Sequence, residues 1–133
     1  MRHIENNEVG QRQQMILQCI WEAGGKATVP DIIDGIEKRC GVRLSSSAVN
    51  TMVLILVDKG LVEQGDKRGH AYLYHTVLTE KEFRIREMKR IRKLTFDDSS
   101  KAMLISMIEA GLKEEEMKEV LLMIKRGLLK YPS

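Results

Sequence analysis

Apolar side chains recur at helical spacing along the first part of the chain. The first such stretch covers about residues 9–23 and stops at Gly24-Gly25, whose backbone freedom suits a left-handed helix end. The second begins at Thr28, a residue type that often caps a helix N-terminus, and it closes at Gly41. Because each stretch carries one apolar stripe, the pattern predicts two amphipathic helices.

A third periodic stretch follows the serine run Ser45–Ser47 and ends at Lys59-Gly60, with glycine at the usual position after a helix. The apolar positions of this stretch are Val49, Met52, Val53, Leu56 and Val57. The opposite face begins with the short polar residues Ser46, Ser47, Asn50 and Thr51. Such a helix packs through one side and leaves the polar side for solvent or for a polar partner.

Two strand-like segments come next, at about residues 61–64 and 71–77, and Gly65–Gly69 lies between them. The intervening loop is short, bounded by glycines and basic at Lys67 and Arg68, which is typical of a hairpin. Three helices followed by a small hairpin predict a winged helix-turn-helix, a mainly α fold with a small β-hairpin wing.

The remaining sequence predicts three more helices. Thr79 and Glu82 have the spacing of a capping box, and the helix that they open runs to about Leu94. A fifth helix covers about residues 101–110. A sixth opens with the three glutamates at 114–116, whose negative charge suits a helix N-terminus.

The fifth helix has almost no polar face, and so few helices cannot bury it by themselves. Packing against a second copy of the chain is the simplest way to bury this apolar surface. We therefore predict a winged helix over residues 1–78, a helical dimerisation region over residues 79–133, and a homodimer. The predicted interface residues are Met103, Leu104, Met107, Ile108, Met117, Val120, Leu121 and Ile124.

The net charge is +3, and its distribution matters more than its size. Residues 1–76 hold nine basic and nine acidic side chains, so the excess lies in residues 77–133. There, the segment 81–93 carries seven basic and two acidic side chains. This basic stripe is a modest electrostatic footprint for a nucleic-acid binder, and composition alone does not establish DNA binding.

Composition excludes several classes of protein. Hydrophobic residues make up 43% and charged residues 31%, which is ordinary for a globular chain and argues against disorder. No apolar run approaches the roughly 18 residues of a membrane span, and the segment MRHIENNEVG has no hydrophobic signal region. We therefore expect a cytoplasmic protein without membrane insertion.

Enzyme machinery is not recognisable in the sequence. The chain has no glycine-rich phosphate loop, no His-Glu-x-x-His and no Gly-x-Ser-x-Gly motif. Cys19 and Cys40 lack metal-ligand spacing and are expected to be a buried pair of reduced thiols. We expect a protein that is not an enzyme and that uses no metal or cofactor.

The prediction of DNA binding rests on the geometry of the helix-turn-helix, in which the start of the second motif helix contacts base edges in the major groove. The residues at that place are Ser46, Ser47, Ala48, Asn50 and Thr51. Asn50 can pair with adenine, and this helix has no arginine to bind guanine, so contacts biased toward A·T pairs are expected. The alternative is a solvated polar face that contacts no base.

Phosphate contacts have separate candidates. Those at the hairpin tip are Lys67, Arg68 and His70, and those ahead of the second and third helices are Lys26, Thr28 and Arg43. A solvated turn is the alternative for the hairpin tip. The basic stripe could contact flanking DNA, and a solvated helix face is an equal alternative.

The order of elements and the stretch SSSAVNTMVLILVDKGLVEQGDKRGHAYLYHTVLTEKE resemble the penicillinase-repressor family (BlaI/MecI/CopY). The likeness includes a first helix that ends at Trp21, a Ser-x-x-x-Val-x-Thr pattern in the third helix, and the tail FDDSSKAMLISMIEAGLKEEEMKEVLLMIK. It covers nearly the whole chain. The resemblance implies a winged helix joined to a dimerisation region, and repression by binding to palindromic operators.

The chain also departs from that family. The copper-responsive branch ends in clustered Cys-x-Cys pairs, which GLLKYPS lacks, so copper sensing through that motif is not expected. The β-lactam-responsive branch is inactivated by cleavage of an Asn-Phe bond, whose nearest counterpart here is about Ser106-Met107. The resemblance therefore leaves a membrane sensor protease open as a partner. Ala48, Asn50 and Ile55 also differ from the residues common in relatives, so the operator preference can differ too.

Together these patterns predict a homodimeric transcriptional repressor that binds palindromic operator DNA. Two alternatives stay open. A winged-helix protein-interaction module is favoured by the balanced charge of residues 1–76. A regulator that responds to a small ligand is the other, although no pocket-forming polar group can be recognised from the sequence.

Overall fold

The computed structural model describes residues 9–132 of the chain. Its helices and strands are α1 (Gln11–Glu22), β1 (Lys26–Ala27), α2 (Val29–Cys40), α3 (Ser46–Asp58), β2 (Val62–Arg68), β3 (Ala71–Thr76), α4 (Glu80–Thr95), α5 (Ser100–Glu109) and α6 (Glu114–Lys125). The described residues form two compact units, which meet in sequence between Arg84 and Ile85. The predicted order of three helices, a hairpin and three helices is confirmed. The expectation about a signal region concerns residues that lie mostly outside the described range.

The core of the first unit is supplied by α1, α2, α3 and the start of β2. Its fully buried large side chains are Ile16, Leu17, Ile20, Ile32, Ile36, Val49, Val53, Leu56 and Val62. Burying one such side chain contributes about 1.5–3 kcal/mol relative to leaving it exposed, so this stripe-to-stripe packing is the main source of stability. The amphipathic pattern of the first three helices is confirmed.

Helix ends in the first unit follow the predicted capping chemistry. The Thr28 hydroxyl accepts a hydrogen bond from the Asp31 N–H at 3.2 Å, and the Asp31 carboxylate accepts one from the Thr28 N–H at 3.0 Å. The helix closes at Gly41, whose φ of 76° favours glycine. At the start of α3, the Ser45 hydroxyl accepts from the Ala48 N–H at 3.1 Å. These caps fix where α2 and α3 begin.

The sheet has three antiparallel strands in the order β1-β3-β2. The strand β2 is longer than predicted, because it passes an irregularity between Gln64 and Lys67 and continues to Arg68. Only Gly69-His70 remains as the turn. The pairing of Lys26 with His75, which defines β1, is absent from the sequence prediction, since two residues are too few to show strand alternation.

The start of α4 belongs to the first unit. Phe83 is buried in the core, with its ring centroid 5.4 Å from that of Trp21. The Trp21 indole also donates a hydrogen bond to the Leu78 carbonyl at 3.1 Å, and the Gln18 amide donates one to the Glu80 carboxylate at 3.0 Å. These contacts tie the first turn of α4 to α1. The predicted domain division at residue 78 stays a prediction.

The second unit contains the later part of α4 and all of α5 and α6. Ser99 caps α5 by accepting a hydrogen bond from the Ala102 N–H at 3.0 Å. No residue of α5 or α6 is buried. Among the described residues, no helix combines the length and the apolar character that a membrane crossing requires.

The expectation of two buried cysteines is wrong for one of them. Cys19 is buried between α1 and α2, and this burial raises the pKa of its thiol. Cys40 is exposed, because the last turn of α2 extends beyond the core. Its thiol donates to the Ile36 carbonyl at 3.2 Å. Both thiols are free.

Candidate nucleic-acid interface

The polar face of α3 is fully available to a partner. Ser46, Ser47, Asn50 and Thr51 are exposed, and Ala48 is half-buried. This orientation follows from the helical spacing, since Val49, Val53 and Leu56 turn the other side of the helix into the core. The five residues predicted to contact bases therefore come together on the first turns of one helix.

The hydrogen bonding of these residues defines what each can offer a base. The Thr51 hydroxyl donates to the Ser47 carbonyl at 2.9 Å, so its hydrogen is engaged within the helix. Its oxygen lone pairs and its methyl group remain for a partner. Asn50 carries both a donor and an acceptor on an exposed side chain, which is the pattern that pairs with the major-groove edge of adenine.

Thr28 and Lys26 differ sharply in accessibility. Thr28 is 3% exposed, and its hydroxyl is engaged in the cap of α2. Its low exposure leaves little room for a phosphate contact from this hydroxyl. Lys26 is exposed on β1, directly before that cap. Lys26 is therefore the more accessible of the two predicted phosphate contacts.

Arg43 is exposed but already paired with acidic side chains. Its guanidinium donates to the Asp34 carboxylate at 3.1 Å and to the Glu37 carboxylate at 2.7 Å. Hydrogen bonds to Asp34 and then to Glu37 raise the pKa of Arg43. A phosphate must compete with these two carboxylates for the guanidinium, so the net gain from the contact is reduced. Sequence reasoning missed both partners, because they lie on α2.

Arg68 is held in the same way at the wing. Its guanidinium forms an ion pair with the Asp31 carboxylate at the start of α2. Burial raises the pKa of Asp31, but hydrogen bonds from the Thr28 backbone, the Thr28 hydroxyl and Arg68 outweigh it and leave the pKa below its ordinary value. This pair joins the end of β2 to the start of α2.

The wing tip presents a second cation and a histidine. The Lys67 ammonium lies 5.0 Å from the centroid of the Tyr72 ring, on the cross-strand neighbour of Lys67. A cation in this position gains a modest attraction to the ring without losing its charge. His70 is exposed in the turn itself. The structure thus brings Lys67, Arg68 and His70 together at one end of the hairpin.

The basic stripe of α4 is partly neutralised by acidic neighbours. Its ion pairs are Arg84 with Glu80 at 2.8 Å, Arg90 with Glu87 at 2.9 Å and Arg92 with Asp98 at 2.8 Å. Lys89 and Lys93 are exposed. These pairs favour the solvated helix face over a DNA contact for the three arginines.

The predicted dimer residues lie on the surface of the second unit. Leu104, Met107, Ile108, Val120 and Leu121 are between 40% and 52% exposed, and Met103, Met117 and Ile124 are half-buried. Further large apolar side chains are exposed on the same two helices, namely Ile105 on α5 and Leu122 and Met123 on α6.

A family model for the penicillinase repressor matches residues 9–126. The chain belongs to the penicillinase repressor family. The match takes in both units of the structure, and the members of the family are DNA-binding transcriptional repressors. The resemblance stated from the sequence is therefore confirmed. No curated protein sequence matches the chain significantly.

Solved structures of RosR confirm the fold class. The complex structure of hsRosR-S4 is 17% identical, covers 80% of this chain and 91% of its own, and gives a TM-score of 0.55. RosR of H. salinarum is 19% identical, covers 77% of this chain and 92% of its own, and gives 0.51. The DNA-binding domain of the repressor BlaI is 21% identical, covers 62% of this chain and 93% of its own, and gives 0.47. The chain is a winged helix-turn-helix, like the family members and the RosR proteins.

Proposed function

We propose that this member of the penicillinase repressor family is a homodimeric, sequence-specific repressor that binds palindromic operator DNA in the cytoplasm. The exposed, short polar face of α3 carries this proposal. Ser46, Ser47, Asn50 and Thr51 project from the second helix of the helix-turn-helix, which is the element that enters the major groove in this class of domain.

Roles within the interface follow from side-chain chemistry. Asn50 and Thr51 offer hydrogen bonds to base edges, and Ala48 offers an apolar contact. Lys26 and Lys67 supply charge for phosphates on either side of the groove, and Arg43 and Arg68 can join them by exchanging their carboxylate partners. This division assigns sequence preference to α3 and general affinity to the lysines.

Dimerisation is supported by the uncovered apolar side chains of α5 and α6. These two helices expose eight large apolar side chains, and a large exposed apolar surface is unusual on a protein that works as a monomer. A second copy would cover the surface with chemically identical helices. Such a dimer would match an operator with two-fold symmetry, because each copy presents one α3 to one half-site.

Release from DNA is proposed to follow loss of the dimer. The Ser106-Met107 bond lies inside α5, and Met107 is 48% exposed. Cutting this bond would divide the helix that carries half of the predicted interface. A membrane sensor protease would be the partner that performs the cut, by analogy with the β-lactam-responsive branch of the family.

The test is selection of the purified full chain against a random duplex library at near-physiological salt. We expect enrichment of a dyad-symmetric site that is rich in A·T pairs where α3 contacts the groove. Binding to the enriched site should weaken steeply as salt rises, since phosphate contacts release counterions. Failure of a folded dimer to enrich any sequence would contradict the proposal and favour a protein-interaction module.

A further inference from the structure

The outward face of α3 does not end with its polar residues. Leu54 is a large apolar side chain that is 48% exposed. At 3.6 residues per turn it lies within about 20° of Ser47 around the helix axis, two turns further along. The core-facing side of the helix, with Val49, Val53 and Leu56, lies opposite. Leu54 is therefore in the middle of the exposed face and not at the edge of the core.

A single exposed leucine is common on protein surfaces, so its exposure alone does not indicate a binding role. The residues beside Leu54 on α3 provide that indication. Ser47 and Thr51 occupy the two preceding turns of the same face, and both belong to the proposed base-contacting set. Met52 and Val57, by contrast, pack against the core from the flanks of the helix. Leu54 thus continues the base-contacting face by one turn.

Asp58 marks the other end of this face. It is exposed, and eleven residues of helix bring it back to within about 20° of Ser47. A carboxylate in that position repels phosphates, so we expect Asp58 to lie outside the groove. Leu54 lies one turn earlier and is the last uncharged residue in the middle of the face.

We propose that Leu54 is a specificity-determining residue that contacts the C5-methyl group of a thymine in each half-site. The inference rests on the proposed function, because it needs α3 to lie in the major groove. Leucine has no donor or acceptor, and the thymine methyl is the one apolar group on the major-groove edges of unmodified DNA. This contact agrees with the A·T preference expected from Asn50.

The experiment replaces each thymine of the selected operator with deoxyuridine, one position at a time in both half-sites. The replacement keeps base pairing and removes only the methyl group. We expect the wild-type chain to lose about fourfold in affinity per lost contact, at one thymine position per half-site. Leu54→Ala should bind the thymine and deoxyuridine duplexes equally at that position and keep its response at other positions.

Two further variants make the result specific. Leu54→Gln keeps the length of the side chain and helix propensity, and it should also lose the methyl response. Val77→Ala removes an apolar side chain of similar exposure, 46%, outside α3, and it should keep the wild-type response.

The failure of this inference differs from the failure of the proposed function. A wild-type chain that selects a dyad but ignores every thymine methyl overturns the role of Leu54 alone. So does a full methyl response in Leu54→Ala. A chain that selects no sequence overturns both proposals together.

Discussion

Apolar residues at helical spacing have opposite fates in the two units. In the first unit Ile16, Ile36 and Val53 are completely buried. In the second, Met107 and Leu121 are about half exposed, although their helices are also rich in apolar residues. The difference lies in which elements of the chain pack over these apolar side chains. Three helices and a sheet enclose a core, whereas α5 and α6 bury no residue at all.

This comparison assigns stability and assembly to different parts of the chain. The first unit encloses its own buried core. The second unit carries apolar side chains whose burial requires something more, and a second copy is the cover that we propose. Mutations in the two units should therefore have different consequences even when they introduce the same charge.

The largest expected effect comes from a charge in the core of the first unit. Val53→Asp puts a carboxylate where no solvent and no cation reach, which should lower the free energy of unfolding by about 3–5 kcal/mol. Urea unfolding followed by circular dichroism measures it. Thr51→Asp, exposed on the same helix, should change the free energy by less than about 0.5 kcal/mol. Equal effects of the two substitutions would refute the placement of α3.

A charge in the second unit should change assembly and leave the winged helix folded. Leu121→Lys should yield monomers in sedimentation, and its affinity for a full operator should fall at least tenfold, because the two half-sites are no longer bound together. Met107→Lys should act likewise. Glu119→Lys, on the same helix but outside the apolar stripe, is the matched control and should remain a dimer. If Leu121→Lys still sediments as a dimer, Leu121 is not part of the interface.

Within the first unit, the comparison between α3 and the wing can be sharpened by a pair of alanine variants. Asn50→Ala should lower discrimination by about 1–3 kcal/mol at one base pair per half-site. Lys67→Ala should weaken binding to all DNA sequences alike. It should also reduce the salt dependence of binding by the equivalent of about one phosphate contact per chain. Titration of operator variants at several salt concentrations measures both effects. Uniform losses in both variants would show that the assigned roles are wrong.

The smallest effect is the pH dependence of the Asp31 contacts. Because the pKa of Asp31 is lowered in the folded chain, its carboxylate stabilises the fold at pH values above the ordinary pKa of an aspartate. This stabilisation is lost as the pH falls through the lowered pKa. Asp31→Asn should therefore cost below about 1 kcal/mol at neutral pH, since the pair is partly exposed, and nothing at strongly acid pH. Unfolding curves at a series of pH values measure it.

Local chemistry made much of the fold predictable. Helix ends were marked by Thr28, Ser45, Gly41 and the Thr79–Glu82 capping box, and each uses the backbone contacts expected of it. These features depend on residues three or four positions apart, so the sequence alone contains them. The predicted polar face of α3 is exposed for the same reason, because one helical period assigns both of its faces.

Features that depend on distant residues were not predictable in this way. The strand β1 exists because Lys26 meets His75, and the acidic partners of Arg43 and Arg68 lie on α2. Cys40 follows the apolar spacing of α2 but lies beyond the end of the core, so it is exposed. In each case the outcome is decided by which elements pack together, and spacing along the chain does not contain that information.

The central claim, that two copies bind one dyad through their α3 helices, is tested most directly by the stoichiometry of the complex. Sedimentation of the full chain with a selected duplex, and with the same duplex carrying only one intact half-site, gives the number of chains bound and the affinity for each. We expect two chains to bind the full site. Binding should be at least tenfold weaker when one half-site is destroyed. One chain per duplex, with equal affinity for the full and half sites, would contradict it.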